Sequence, residues 1–294
     1  ADSGLPSGLF NLVMGAGSTI GDALVSHPAI KAITFTGSVE TGRRIAATAI
    51  GNMPRMQMEM GSKNALVVMD DADIDLAVTC AANGAFGGTG QKCTASSRLI
   101  VHDAVHDEFV EKLVAATKAM TVGHALEERT QIGPVVSESQ LAANLDYMDI
   151  ARKEGGEVLC GGDRLTLLHD GFYMAPAVIA GTGNHWRINR EEMFAPIACV
   201  IRAESYDEAL VISNDTEFGL TAGIMTRSLA RAGDFRRRAE TGVVMVNLPT
   251  AGTDYHVPFG GRGDSSYGPR EQGQYAVEFF TSTKTAYIST GPAS

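Results

Sequence analysis

Phe86-Gly87-Gly88-Thr89-Gly90-Gln91-Lys92-Cys93-Thr94-Ala95-Ser96-Ser97-Arg98 is the stretch on which the reading of this 294-residue chain turns. It places a cysteine in a glycine-rich loop between a predicted helix and a predicted strand. Glycines let a backbone approach a ligand closely. Polar neighbours and backbone N–H groups lower a thiol pKa and hold an oxyanion. A lone cysteine is more often a small buried structural residue, but the loop around Cys93 makes a nucleophile an equal candidate.

Upstream, Gln57-Met58-Glu59-Met60-Gly61-Ser62-Lys63-Asn64 sets a carboxylate between methionines at the end of a predicted strand. An apolar setting raises a carboxyl pKa, which suits a general base; the plainer reading is an exposed loop glutamate. Further back, Ile33-Thr34-Phe35-Thr36-Gly37-Ser38 leads into a helix. Such a turn holds a phosphate through its free N–H groups, or serves only as an N-cap through Ser38. Downstream, Glu191-Glu192-Met193-Phe194-Ala195-Pro196 brings an acid close to an aromatic. That pair can grip a ribose and flank a flat ring, or form an ordinary loop turn.

Around these segments, apolar runs alternate with helical patterns, which predicts an α/β protein. Strands are expected at Phe10–Met14, Ala32–Phe35, Ala65–Met69, Arg98–His102, Val158–Cys160, Ala198–Arg202, Ala222–Met225 and Val243–Asn247. Helices are expected at Ser18–Ser26, Val39–Ile50, from Ile74 toward Ala85, and at Asp107–Met120, Ser137–Gly155, Tyr206–Asn214 and Leu229–Thr241. A final alternating strand, Glu278–Ile288, leaves an edge that needs a partner. The opening strand–helix–strand–helix unit alone makes too small a sheet for an independent domain.

The bulk properties narrow the function. With 24 basic and 34 acidic residues the net charge is −10. With no basic run or stripe, that argues against a nucleic-acid partner. No apolar stretch approaches the roughly 20 residues needed to span a bilayer, so no membrane partner is expected. The opening residues lack the basic and apolar regions of a signal peptide. The cysteines Cys80, Cys93, Cys160 and Cys199 form no C-x-x-C pair, so neither a disulfide scaffold nor a metal site is expected. Reduced thiols in a cytoplasm follow.

In this order and context the four segments resemble the aldehyde dehydrogenase superfamily. There the pattern reads as a phosphate-binding F-T-G-S turn, an E-L-G-G-K glutamate segment, a G-Q-x-C nucleophile loop and an E-I/M-F-G-P ribose segment. Pro258-Phe259-Gly260-Gly261 and Tyr267-Gly268-Pro269-Arg270-Glu271 match the family's C-terminal signature, and the 34-residue step from Glu59 to Cys93 fits. The resemblance covers essentially the whole chain. A narrower likeness, carried by Thr94–Arg98, Val246–Gly252 and Ser265–Gly273, is to the branch that oxidises α-ketoglutaric semialdehyde (2,5-dioxopentanoate).

The resemblance implies the C-terminal portion of such an enzyme. The expected architecture is an incomplete doubly wound cofactor domain over 1–60, an α/β catalytic domain over 61–262, and a tail over 263–294 whose oligomerisation strand adds to a neighbouring subunit in a homodimer or homotetramer. Cys93 is then the nucleophile toward a small-molecule aldehyde and Glu59 the general base. The cofactor is NAD or NADP. Gly37 and Ser38 meet its pyrophosphate, Met60 and Gly61 lie along it, Glu192 holds the nicotinamide ribose and Phe194 lies beside the ring. Ser62 and Ala195 replace family glycines, and a Cβ at 62 is expected to crowd the cofactor or force a new backbone angle. A dicarboxylic semialdehyde needs a cationic anchor, for which Arg98, Arg262 and Arg270 are candidates, Arg98 being the one expected to face structure instead. Family members also carry a long N-terminal portion, absent here, with the first half of the cofactor domain and an oxyanion-hole asparagine. The competing expectations are therefore an inactive truncated fragment serving at most as an oligomerising module, and a cofactor-free thiol esterase.

Overall fold

The structure, a computed structural model, describes residues 4–291. The first three residues of the expected cofactor segment and the last three of the tail lie outside the described residues. In chain order the elements are α1 (Gly17–Val25), β1 (Ala32–Thr36), α2 (Val39–Ala49), β2 (Arg55–Glu59), β3 (Asn64–Val68), α3 (Ile74–Phe86), β4 (Ser96–His102), α4 (Asp103–Ala119), α5 (Glu138–Glu154), β5 (Glu157–Cys160), β6 (Arg164–Leu165), β7 (Tyr173–Met174), β8 (Ala177–Ala180), α6 (Arg187–Arg190), β9 (Ile197–Ala203), α7 (Tyr206–Asn214), β10 (Thr221–Met225), α8 (Leu229–Arg238), β11 (Val243–Val246), β12 (Ser266–Tyr267) and α9 (Gly273–Phe280).

The larger sheet runs β11-β10-β3-β4-β9-β8-β5. Its pairs are parallel except the last, β5 against β8. A parallel sheet must be covered on both faces, and β3, Asn-Ala-Leu-Val-Val, is buried along its whole length. Alternation sends Leu66 and Val68 to one face, where they pack with Leu99, Phe109 and Leu113 under α3 and α4. Ala65 and Val67 go to the other, against Ala209, Leu210 and Phe235 of α7 and α8. Each fully buried leucine or phenylalanine in these layers contributes about 1.5–3 kcal/mol. Helix starts follow the sequence. Ser137, Ser205 and Ser228 each accept a hydrogen bond from the backbone N–H three residues on, and Gly155 closes α5 in the left-handed conformation at φ 99°.

The smaller sheet has the order β1-β2-β12. β1 and β2 are parallel, with Thr36 opposite Glu59. β12, from the far end of the chain, pairs antiparallel with β2 and puts Ser266 opposite Glu59. Arg43 of α2 pairs with Asp264 at 2.7 Å and fastens this return.

Two expected strands are corrected. Phe10–Met14 is irregular and its apolar side chains are exposed, Phe10 at 78% and Met14 at 80%. It pairs with no described strand. Glu278–Ile288 is not a strand within this chain. Glu278–Phe280 ends α9, which buries Phe279 under the guanidinium of Arg55, and residues 281–290 carry no regular structure. An alternating pattern becomes a strand only where its backbone groups pair with another strand, and residues 281–290 pair with no described strand.

Candidate active site

The loop after α3 is built by backbone conformations that few residues accept. Gly88, Thr89 and Gly90 have φ of 65°, 63° and 65°. Thr89 adopts this left-handed state while buried, its hydroxyl donating to the Gly133 carbonyl at 3.1 Å. At Gly90 a Cβ would meet the Ala195 carbonyl oxygen at 2.1 Å, so only glycine lets the loop close on the segment carrying Glu192 and Phe194.

Two side chains then clamp the nucleophile. Asn64 donates to the carbonyls of Cys93 and Ala95, at 2.7 and 2.9 Å, while its own oxygen accepts from the Thr221 amide. Thr250 donates to the Thr94 carbonyl at 2.7 Å and shares a 2.6 Å contact with the Ser96 hydroxyl. Gln91 accepts from the Val136 amide at 2.9 Å. None of these clamps was singled out from sequence. Each joins polar side chains to segments far along the chain; Asn64, Gln91 and Thr250 all sit in stretches marked by the resemblance, but their partners at Thr221, Val136 and Thr94 are not readable from those stretches.

Cys93 opens into a cavity of about 850 Å³ whose wall also includes Gly37, Ser38, Met60, Gly61, Glu192 and Phe194. Seven of the eight residues expected to act together therefore meet at one void. The thiol is not lowered, contrary to expectation. Burial pushes it up to about 11, with the charges of Glu192 and Glu59 adding to the rise, against which the backbone N–H groups of Cys93 and Thr94 act. Two carboxylates near a half-buried sulfur outweigh the polar backbone.

Glu59, the eighth, lies just behind the wall and is 3% exposed. Its Oε2 accepts from Ser266 Oγ at 2.7 Å. Burial lifts its carboxyl to about 7, opposed by the Ser266 hydrogen bond, with Glu271 raising and Arg270 lowering it further. It is an acid balanced near neutrality, as a general base requires.

Glu192 is held from two sides. Its Oε1 accepts from the Ser62 amide at 3.0 Å, and a Cβ on residue 61 would strike its Oε2 at 2.1 Å. Burial raises its carboxyl, and the Ser62 amide and the buried Lys63 pull it back. Its neighbour Glu191 is committed elsewhere, to the Tyr147 hydroxyl at 2.9 Å and Arg187 at 2.7 Å. Phe194 is in the left-handed region at φ 54° and remains 37% exposed at the cavity. Ser62 is tolerated. Its amide serves Glu192, and it is not among the residues with positive φ.

At the other part of the wall, Ser38 caps α2, its hydroxyl accepting from the Thr41 amide at 3.2 Å. The first turn of α2 thus presents free N–H groups beside Gly37, at the positive end of the helix. A helix N-terminus, an anchored carboxylate and an exposed aromatic face around one void suit a dinucleotide: phosphate, ribose hydroxyls and a flat ring.

The three arginines considered as substrate anchors are placed away from this wall. Arg98 is buried and donates to the carbonyls of Lys63, Ile212 and Ser213 and to Asn184. Arg270 donates to the Gly261 carbonyl, and Arg262 packs by Gly219. Among the described residues there is no cluster of metal-binding side chains, and no helix is long and apolar enough to cross a membrane.

Comparison with known proteins agrees with this geometry. Residues 1–286 match the profile described as the aldehyde dehydrogenase family. The chain belongs to this family. Among curated members it is 40% identical over 289 residues to the alpha-ketoglutaric semialdehyde dehydrogenase of Bacillus subtilis, covering 98% of this chain and 59% of that protein. It is 39% identical to a betaine aldehyde dehydrogenase of Rhizobium johnstonii, covering 99% of this chain and 59% of that one. The crystal structure of an NAD-dependent aldehyde dehydrogenase from Sinorhizobium meliloti superposes with a TM-score of 0.94 at 33% identity, over 100% of this chain and 58% of that one. The chain thus spans about three fifths of the length of the aldehyde dehydrogenases it matches.

Proposed function

We propose that this chain carries the catalytic centre of an NAD- or NADP-dependent aldehyde dehydrogenase, and that its substrate is 2,5-dioxopentanoate (α-ketoglutaric semialdehyde). The observation that carries the reading is the meeting of Cys93, Glu192, Phe194 and the Gly37-Ser38 turn at one cavity, with Glu59 balanced near neutrality beside it. The similarity to the semialdehyde dehydrogenase supports the substrate.

Cys93 gives its thiol proton to water in the cavity and its sulfur adds to the aldehyde carbon, giving a thiohemiacetal whose oxyanion is met by the Cys93 backbone N–H. Bound cofactor supplies the acceptor for the hydride that leaves this carbon. The carbon then remains on Cys93 as a thioester. Rotation about the Glu59 side-chain torsions turns its carboxylate from Ser266 toward that thioester, where it takes a proton from water as the water attacks. The C–S bond breaks, the carboxylic acid leaves, and the thiol is restored. Gly37, Ser38 and the first turn of α2 would hold the pyrophosphate and Glu192 the nicotinamide ribose, with Met60 and Gly61 along the cofactor and Phe194 beside the ring.

A second reading has its own support. β1 is an edge strand of the smaller sheet, and Leu9, Phe10, Leu12, Val13 and Met14 are all exposed before it. Further protein covering them would complete the cofactor cradle. The test is NAD(P)H formation by the purified chain with 2,5-dioxopentanoate, beside Cys93→Ser. A signal lost in the variant supports a competent enzyme. No signal from folded protein refutes activity of the chain by itself, and ester hydrolysis dependent on Cys93 without any cofactor signal would identify a thiol esterase.

A further inference from the structure

We propose that Lys92 is the anchor for a carboxylate on the substrate, so that the cavity selects aldehydes carrying a negative charge and disfavours cationic ones. The inference rests on the reading of this cavity as an aldehyde site.

The cavity wall holds one acid, Glu192, and one cation, Lys92. Glu192 is engaged by the Ser62 amide and the nearby Lys63. Lys92 makes no ion pair among the described residues. It is exposed, and it directly precedes the nucleophile. Its stem lies along the loop, with Cε 2.9 Å from where a Cβ on residue 88 would stand, and Gly88 at φ +65° leaves that space open. Lys92 thus lines the cavity next to the nucleophile, on an exposed stem that no buried partner holds. The other nearby cations are spent: Lys63 is fully buried and Arg98 serves backbone carbonyls.

Around Lys92 the wall supplies Thr94, Thr253 and Gln272, whose Oε1 is buried with no hydrogen-bond partner among the described residues. A chain of a few carbons with an aldehyde at one end and a carboxylate at the other satisfies both the sulfur and the ammonium. A quaternary ammonium aldehyde brings its positive charge to the same place. Although aromatic faces attract such groups, here it meets a like charge. One residue thus separates the two substrate types found among the chain's relatives.

The test has two arms, each on the full 294-residue chain as wild type, Lys92→Met and Lys92→Arg, with folding checked by circular dichroism. In the first, kcat/KM is measured for 2,5-dioxopentanoate, pentanal and betaine aldehyde. The anionic-to-neutral ratio is expected to fall at least about tenfold in Lys92→Met, the loss of one charge contact, and to be retained in Lys92→Arg, while the ratio of betaine aldehyde to pentanal rises. In the second arm 2-oxopentanoate, which lacks the aldehyde, competes with iodoacetamide for Cys93, followed by peptide mass spectrometry. It is expected to slow alkylation in wild type and not in Lys92→Met, with 2-pentanone slowing neither. Equal ratios in wild type and Lys92→Met, or equal protection, overturn the anchor while leaving the activity intact. Lys92-dependent protection without oxidation of any aldehyde leaves the anchor standing and removes the dehydrogenase reading.

Discussion

Ser266 Oγ donates a 2.7 Å hydrogen bond to Glu59 Oε2, joining residues 207 apart in sequence and directly opposite in the smaller sheet. The bond holds down a carboxyl that burial lifts to about 7. In Ser266→Ala that restraint is gone and the Glu59 pKa rises further. Since the base works ionised, the acid limb of Cys93-dependent p-nitrophenyl acetate hydrolysis should move up by about one pH unit, the worth of one hydrogen bond to a charged group. A midpoint unchanged in the variant would detach Glu59 from the hydrolytic step.

The same shift makes a stability prediction. The Glu59 carboxyl has a folded pKa near 7 and an unfolded one near 4.5. Between these values the folded chain binds more protons, so stability falls as pH rises through the window. The cost is absent below about 4.5 and complete above about 7. Glu59→Gln should remove it, raising stability at pH 8 by up to about 3 kcal/mol and leaving it nearly unchanged at pH 4. Denaturant melts at the two pH values check this. Equal increments at both would mean that packing and not ionisation is responsible.

For Cys93 the direction is opposite to the one that polar neighbours suggest. After burial, Glu192 is the largest cause of the raised thiol, ahead of Glu59. Glu192→Gln should therefore lower the thiol pKa from about 11 and speed iodoacetamide alkylation of Cys93 at pH 8 roughly three- to tenfold. Slower alkylation would show that Glu192 assists thiol ionisation.

Much of this was legible in the sequence. α7 occupies Tyr206–Asn214 as predicted, because Ser205 caps it and its apolar face is regular. The strands of the larger sheet are apolar runs too short to be helices. The loop around Cys93 and the segment around Glu192 were visible as departures from any such pattern. What was hidden is long-range. Asn64, Thr250 and Ser266 look like ordinary polar residues until folding sets them against backbone or carboxylate from elsewhere. Glu278–Ile288 alternates enough to suggest a strand, but its first three residues end α9, where Phe279 is buried. The rise of the Cys93 pKa depends on Glu192, 99 residues away, which no local reading supplies.

Gly61 has no tolerance for a side chain, since its Cβ would lie 2.1 Å from Glu192 Oε2 and 2.7 Å from Cδ. Gly61→Ala should displace the carboxylate from the Ser62 amide. If Glu192 grips the ribose, NAD+ binding followed by calorimetry should weaken about tenfold or more, one charge-assisted hydrogen bond being worth about 1.5–3 kcal/mol. Undiminished binding would place the ribose elsewhere.

Lys63 is 1% exposed and its Nζ has no hydrogen-bond partner among the described residues. Burial drives its pKa down to about 8, while Cys199, Glu192 and Glu191 favour its charge and Arg98 opposes it. Its unfolded value is near 10.5, so between 8 and 10.5 the folded chain binds fewer protons and stability rises with pH. Below about 8 the full cost of burying the cation is present. Lys63→Met, similar in length and apolar, should therefore stabilise the chain at pH 7 by up to about 3 kcal/mol, with the gain shrinking steadily as pH approaches 10.5. At the same time Glu192 loses the positive charge that lowers its pKa, so its carboxyl climbs further. Thermal unfolding at pH 7 and pH 10 separates these effects. A gain that is the same at both values would mean that Lys63 is not paying for its burial in charge, and a loss at pH 7 would mean that its attraction to Glu192 exceeds the cost of burying it.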